Sequence, residues 1–366
     1  MSKPPYRIPS MAEIAATPWN GFNAVSTFSG CGGSSLGYRM AGFRMLWASE
    51  FIPAAAETYR ANAAPYTVLD TRDIREVTAA EILAATGLSV GELDLLDGSP
   101  PCAAFSTSGK REAGWGTVKT YSDTQQRVDD LFFEFARLLR DLQPRTFIAE
   151  NVAGLVQGTA KGYFKRILKA LGEAGYNVTA RLLDAQWLGV PQRRQRIIFV
   201  GVREDLNSQP VHPAPEPHYY TIRDAVRGLP GAFDDLANDP ETGYPISIRG
   251  YSIEPLWRQL RPGEGHPERM NLKRLSFDQA APAILARAGT AGTAALTHPT
   301  HPRYLTIPEL RRIGGFPDDF VLTGNYARRW ERIGRAVPPP MMARIAGAVR
   351  DEILIPLRDA EPSCAE

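Results

Sequence analysis

The sequence predicts an α/β fold: a doubly wound, mostly parallel sheet with helices on both faces, plus a smaller loop-rich domain. Three observations predict it. Between about residues 24 and 203, short apolar runs alternate with helical stretches, the rhythm of parallel strands joined by crossover helices. At 366 residues the chain exceeds one average domain and is long enough for a large domain and a small one. Near Glu204 the rhythm breaks, and to about residue 300 the chain carries much Pro, Gly and His with little periodicity.

Each element has its own warrant. "AVSTF" (24–28) reads as a strand and "GCGGSSLGYRMAG" (30–42) as a glycine-rich turn entering a helix. "MLWASE" (45–50) is a second strand ending in an acid, followed by the helical "AAAETYRANAA" (54–64). "YTVLD" with "TRDI" gives a third strand and its acidic exit, and "LDLLDGSPP" (93–101) a fourth. Within residues 127–142, Val128, Leu131, Phe132, Phe135, Leu138, Leu139 and Leu142 recur at spacings of three and four, one apolar helix face. "TFIAEN" (146–151) and "RIIFVGV" (196–202) supply further strands. Helical pattern resumes at "TIPELRRIGGF" (306–316), and "PPPMMARIAGAVRDEILIPL" (338–357) is a final helix opened by prolines. "DAEPSCAE" is read as a frayed tail.

Composition excludes several classes. A net charge of +2 does not demand nucleic acid, though it permits a local basic cleft. Three separated cysteines, Cys31, Cys102 and Cys364, make neither a disulfide framework nor zinc-ligand spacing, so no metal is expected and a reducing cytoplasm is. No apolar stretch reaches the ~18 residues of a membrane span, and "MSKPPYRIPS" is read as no signal peptide.

Ligands of a doubly wound sheet sit beyond the carboxyl ends of its strands, and the chemistry-bearing residues collect there. The glycines of "FSGCGGSSLG" let backbone approach a ligand at a helix N-terminus, as nicotinamide, flavin and methyl-donor enzymes all require. Glu50 and Asp73 follow the next two strands, where acids can bind a ribose or a base. Either alone reads as a solvated strand-end acid; in sequence they point to an adenosine-containing cofactor. Cys102 follows a rigid "PP" at the end of the fourth strand, with the Gly- and Ser-bearing "STSGKREAGWG" behind it. Free cysteines are usually inert core residues. This mounting instead suits a thiolate nucleophile with a closing segment. Glu150 and Asn151 end the strand "FIAEN", where a carboxyl could protonate a ring nitrogen. In "PQRRQR", Arg194 and Arg196 alternate with Arg193, so two guanidinium groups share a face that could grip a base oxygen or phosphate.

These stretches, in this order, resemble the DNA (cytosine-5) methyltransferase family. The resemblance runs from about Ala24 to Val349, excluding the loop-rich lobe, and rests on "FSGCGG", "GSPPCAAFS", "AENVAGL", "GVPQRRQRIIFVG", "RYLTIPELRRIGGFPD" and "GRAVPPP". It implies a Rossmann-like S-adenosylmethionine-binding catalytic domain, residues 1–203 and 301–366, with a target-recognition domain at 204–300. It implies a flipped cytosine of double-stranded DNA as substrate, with Cys102 attacking carbon 6 and carbon 5 receiving a one-carbon group. Glu150 would hold the ring nitrogen and exocyclic amine, with Arg194 and Arg196 near the base oxygen and backbone. Phe28, Gly30, Gly32, Glu50, Phe51, Asp73, Ile74, Pro101, Ala103, Arg335 and Val337 would line the donor site, with Glu50 at the ribose and Asp73 at the adenine amine. A monomer is expected, with a cognate restriction endonuclease as a possible partner.

Three positions depart from the family pattern. Ala103 replaces the common Gln after the nucleophile, and "RIGRAV" carries Arg332 and Arg335 where amides are usual. By resemblance, Ala103 and Arg335 belong to the wall between donor and base. A guanidinium about 5 Å from a sulfonium would be repelled by roughly 3 kcal/mol at an effective dielectric near 20, so an arginine there wants an anion. Either Arg335 points away or pairs with a protein acid and methyl is transferred, or the donor is carboxy-S-adenosylmethionine and the product 5-carboxymethylcytosine. A non-catalytic DNA-binding relative and an RNA cytosine-5 methyltransferase are further alternatives. A nicotinamide dehydrogenase would share the glycine turn but not "PPC" or "QRRQR".

Overall fold

The computed structural model describes residues 3–101, 119–121, 124–126, 130–156, 161–287, 293 and 295–360, with backbone alone for 119–121 and 124–126. Cys102, Ala103, Val128, Cys364 and the segment 106–116 lie outside the described residues. The chain divides into two compact units. The sheet unit comprises Ala15–Leu183, Gln195–Ala214 and Met342–Glu366; the loop-rich unit comprises Met1–Ile14, Asp184–Arg194 and Pro215–Met341.

The main sheet of the sheet unit has seven strands, apart from a short antiparallel pair at 119–121 and 124–126: β1 (Asn23–Thr27), β2 (Arg44–Ser49), β3 (Val68–Asp70), β4 (Leu95–Gly98), β5 (Thr146–Val152), β6 (Tyr176–Asp184) and β7 (Gln195–Arg203). Their order is β3-β2-β1-β4-β5-β7-β6. The first five pair in parallel, whereas β7 runs antiparallel to β5. The predicted α/β, mostly parallel sheet is thus present. Its order reverses between β1 and β4, the switch point where such sheets bind ligands.

The core follows from the apolar runs. Leu95, Leu96, Phe147, Ile148 and Ala149 are wholly buried, as strands covered on both faces must be. Helix Leu131–Leu142 buries Leu131, Phe132, Phe135, Leu138, Leu139 and Leu142, the face read from its spacing. It lies so close to β4 that a Cβ on Gly98 would sit 2.5 Å from the Phe135 ring.

Some elements escaped the sequence reading. Helix Lys161–Glu173 buries only Tyr163, Ile167 and Leu171, one residue per turn among lysines and small residues. Strand β6 is a sheet edge with partial burial along most of its length. Helix Tyr326–Arg335 reads as a polar run because of Arg328, Arg329, Arg332 and Arg335. Helix Ala79–Thr86 opens with a Thr78–Glu81 capping box, a start signal that was present in the letters.

The loop-rich unit has short helices and strand pairs two residues long, Lys273–Arg274 with Leu296–Thr297 and Gln192–Arg193 with Ala281–Pro282. Buried polar side chains bind it. Arg303 meets Glu309 through two hydrogen bonds of 3.0 and 2.8 Å and donates to the Asp234 carbonyl. Asp239 accepts from the backbone N–H of Ile307, and Arg311 pairs with Glu241 at 2.6 Å. These bonds place residues 301–341 with the loop-rich segment, whereas the sequence reading grouped 301–366 with the sheet. Among the described residues no helix is long and apolar enough to cross a membrane.

Candidate active site

Three parallel strands present their carboxyl ends side by side, and each ends in groups named from the sequence. After β1 the chain turns through Phe28 (φ 54°), Gly30 (φ 57°) and Gly32 (φ 93°), the left-handed backbone that favours glycine. Gly32 has a second reason: a Cβ there would sit 3.1 Å from the Tyr59 ring. Phe28 is not glycine, and its ring packs against the core.

Glu50, after β2, is buried and bridges two segments. Its carboxylate accepts from Gly30 N–H and Ile52 N–H, both at 2.7 Å, so it clamps the glycine turn. Asp73 is half-buried, accepts from Arg75 N–H at 3.0 Å and pairs with the Arg75 guanidinium at 2.9 Å. Arg75 reaches on to Asp130 at 2.6 Å. Ile74 is buried in the core, and Phe51 is half-buried. A glycine turn in left-handed backbone followed by acids at the ends of the next two strands suits an adenosine-containing ligand.

The second half of the site belongs to β4 and β5. Gly98 and Ala149 are register partners, so "SPP" leaves β4 alongside "EN", which stays in β5 and pairs with β7. Buried Asn151 donates from Nδ2 to the Pro100 carbonyl at 3.1 Å, while Thr27 Oγ1 donates to the Asp97 carbonyl at 3.0 Å. These bonds fix the chain leading through half-buried Pro101 to Cys102. Glu150 is buried and meets Arg196 Nε at 2.5 Å. Arg196 sits two residues from Glu150's register partner Ile198, a diagonal neighbour on β7. The structure therefore joins Glu150 with Arg196.

Arg194 stands in the loop-rich unit, buried, where its guanidinium donates to the Ile284 and Gly334 carbonyls at 3.1 and 2.9 Å. The alternation read in "QRRQR" is real, since Arg193 is exposed and Arg194 buried. Its partners are main-chain oxygens. In the same unit Arg335 Nε donates to Glu331 at 2.9 Å, and Glu331 also meets Arg328 and Arg332. Val337 is buried nearby in sequence. No group of three or more His, Cys, Asp or Glu that could hold a metal occurs among the described residues.

The sequence reading passed over Asp97, fully buried at the end of β4. Burial pushes its carboxyl up to about 7 against hydrogen bonds from Ser26 and Tyr38, and Glu150 adds to the rise. Its signal was visible: a second acid inside the apolar run "LDLLDG".

The model of C-5 cytosine-specific DNA methylases matches residues 22–351. A type II methyltransferase, M.PspPI, from Psychrobacter sp. (strain TA137) is 30% identical over 357 residues, covering 92% of this chain and 81% of that protein. M.NgoPII from Neisseria gonorrhoeae is 28% identical, covering 93% of this chain and 98% of its own. Among solved structures, a candidate DNA modification methyltransferase encoded within an E. coli prophage superposes with a TM-score of 0.71 at 23% identity. That match covers 91% of this chain and all of the other, and it bears on the fold.

Proposed function

The chain belongs to the C-5 cytosine-specific DNA methylase family, and from that premise we propose that it methylates carbon 5 of a cytosine extruded from double-stranded DNA. The observation that carries the reading is the pairing of β4 with β5. It brings the approach to Cys102 beside Glu150, with Asn151 bonded to Pro100 between them.

Cytosine is a poor carbon nucleophile, so the chain must first supply electrons to the ring. Cys102 Sγ, as thiolate, adds to carbon 6 while Glu150 delivers a proton to the ring nitrogen, and the electron pair comes to carbon 5. S-adenosylmethionine, when bound, supplies an electrophilic methyl on a sulfonium whose sulfur leaves with the bonding pair. Removal of the carbon 5 proton by a base then restores the double bond and expels Cys102 as thiolate, while the ring-nitrogen proton returns to Glu150. Arg196 holds Glu150 in place and supplies positive charge beside the ring. Arg194 acts as a positioning residue through the Ile284 and Gly334 carbonyls. Glu50, Asp73, Phe28 and the glycine turn hold the adenosine, with Phe51, Ile74 and Pro101 completing its surroundings. The loop-rich unit reads the DNA site. Extruding the base costs a few kcal/mol, supplied by binding. The chain acts as a monomer, in the cytoplasm, alongside a restriction endonuclease.

Glu331 bears on the transferred group. Arg335 needs an anion, and Glu331 already supplies one at 2.9 Å, which favours methyl over carboxymethyl. Mass spectrometry of nucleosides from duplex DNA and structured RNA, incubated with each donor, tests this. The expected product is 5-methylcytosine in DNA with S-adenosylmethionine. 5-Carboxymethylcytosine as the main product, or modification of RNA alone, would overturn it.

A further inference from the structure

Ser26 of β1 and Asp97 of β4 are register partners on adjacent parallel strands. The Ser26 hydroxyl donates to Asp97 Oδ2 at 2.7 Å, and the Tyr38 hydroxyl donates to Oδ1 at 3.0 Å. All three residues are fully buried. Ser29 Oγ lies 2.9 Å from Ser26 Oγ and 3.1 Å from the Ser26 carbonyl. Ser29 opens the turn whose next residue, Gly30, is held by Glu50. A chain of hydroxyls thus runs from the buried acid to the turn.

The titratable groups around Asp97 are Tyr38 from helix Gly33–Met40, Tyr59 from helix Pro53–Asn62 and Glu150 from β5. Burial holds both phenols up, Tyr59 to about 12 and Tyr38 well above its ordinary value, so neither ionises near neutrality. No cation among the described residues pairs with Asp97. Its partners are hydroxyl groups.

Two proton arrangements satisfy the same heavy-atom positions. With Asp97 ionised, Ser29 donates to Ser26 Oγ, while Ser26 and Tyr38 donate to the carboxylate. With Asp97 neutral, its own proton goes to Ser26 Oγ, the Ser26 hydroxyl turns to Ser29 Oγ, and Ser29 donates to the Ser26 carbonyl. No atom heavier than hydrogen has to move, and every hydroxyl keeps an acceptor. One proton reverses the whole chain and removes a negative charge next to the turn.

We infer that Asp97 is a positioning residue through which one buried proton sets how strongly the chain prefers a cationic sulfonium donor over the thioether left after transfer. The inference rests on reading the turn at Phe28–Gly32 as the donor site. The ionised acid attracts the sulfonium and has no such hold on the thioether. The neutral acid does not discriminate. Donor binding therefore drives a proton off Asp97, and loss of the sulfonium charge on transfer lets the proton return and weakens retention of the product.

Calorimetric binding of S-adenosylmethionine and S-adenosylhomocysteine, from about pH 5.5 to about 8.5 in buffers of different ionisation enthalpy, tests this. Preference for the sulfonium should rise about three- to tenfold as the pH climbs through about 7. Asp97→Asn should flatten the rise and abolish the accompanying proton release. Tyr38→Phe and Ser26→Ala should each move the midpoint to higher pH, because each removes a hydrogen bond that favours the carboxylate. A flat preference in the unaltered chain, or a rise that survives Asp97→Asn, overturns the inference. If Asp97→Asn does not fold, an unmoved midpoint in Tyr38→Phe overturns it equally. Failure of both ligands to bind at any pH would instead remove the donor-site reading, and the inference with it.

Discussion

The two units bury charge in opposite ways. In the sheet unit the buried acids stand at strand ends: Asp94 before β4, Glu50 after β2, Asp97 late in β4 and Glu150 late in β5. Elsewhere the described strands of the sheet bury no charged side chain. In the loop-rich unit Arg194, Asp239, Arg303, Glu309, Arg311 and Arg332 are buried throughout and bond to loops and to one another. Where long ladders satisfy the backbone, folding has little use for buried charge, so its presence at a strand end points to chemistry. Where strands are two residues long, side chains take over the ladder's task of satisfying loop carbonyls and N–H groups.

Exchanging single acids tests that contrast. Glu150→Gln should lower the single-turnover transfer rate about 10³- to 10⁴-fold, near the upper end for loss of a general acid. It should cost less stability by urea denaturation than Glu309→Gln, because Arg196 is less enclosed than Arg303, with 16% of its side chain exposed against none. Glu309→Gln should do the reverse in stability, costing about 3–5 kcal/mol, since the wholly buried Arg303 loses its counter-charge. Equal destabilisation by the two variants would break the distinction.

Asp97 sharpens it further. Its carboxyl is raised from about 3.8 to about 7 by burial, so the folded chain holds this proton more tightly than the unfolded chain. The stabilisation is complete below about pH 4 and is lost as pH rises through about 7, up to about 4 kcal/mol in all. Urea midpoints should therefore decline across that window, and Asp97→Asn should remove this contribution. The smallest effect expected is at the sheet unit's surface, where Thr78→Ala breaks a capping box and should cost about 1 kcal/mol in thermal unfolding.

What was legible in the letters follows the same division. Buried parallel strands read as apolar runs, and "AVSTF", "MLWASE", "LDLLDG", "TFIAEN" and "RIIFVGV" each mark a strand of the sheet. Glu50, Glu150 and Asn151 were found because a strand's end is visible in sequence. The partners of Arg194 were not. Its alternation with Arg193 announced burial, but the carbonyls it holds belong to Ile284 and Gly334, 90 and 140 residues away. Arg303, Glu309 and Asp239 were illegible for the same reason. Their bonds reach loops, and loops carry no period. Asp97 stands in plain view in "LDLLDG", yet its burial and its hydroxyl partners appear only when β1 and β4 are set side by side.

The central claim is that the thiol mounted behind Pro100 and Pro101 attacks the cytosine ring. Incubation with donor and a duplex carrying 5-fluorocytosine tests it, because the fluorine cannot leave as the carbon 5 proton does. A donor-dependent, denaturation-resistant chain–duplex complex should form, with the adduct on Cys102 by peptide mass spectrometry and lost in Cys102→Ala. Modification of ordinary cytosine without such a complex, or an adduct on any other residue, would contradict the account.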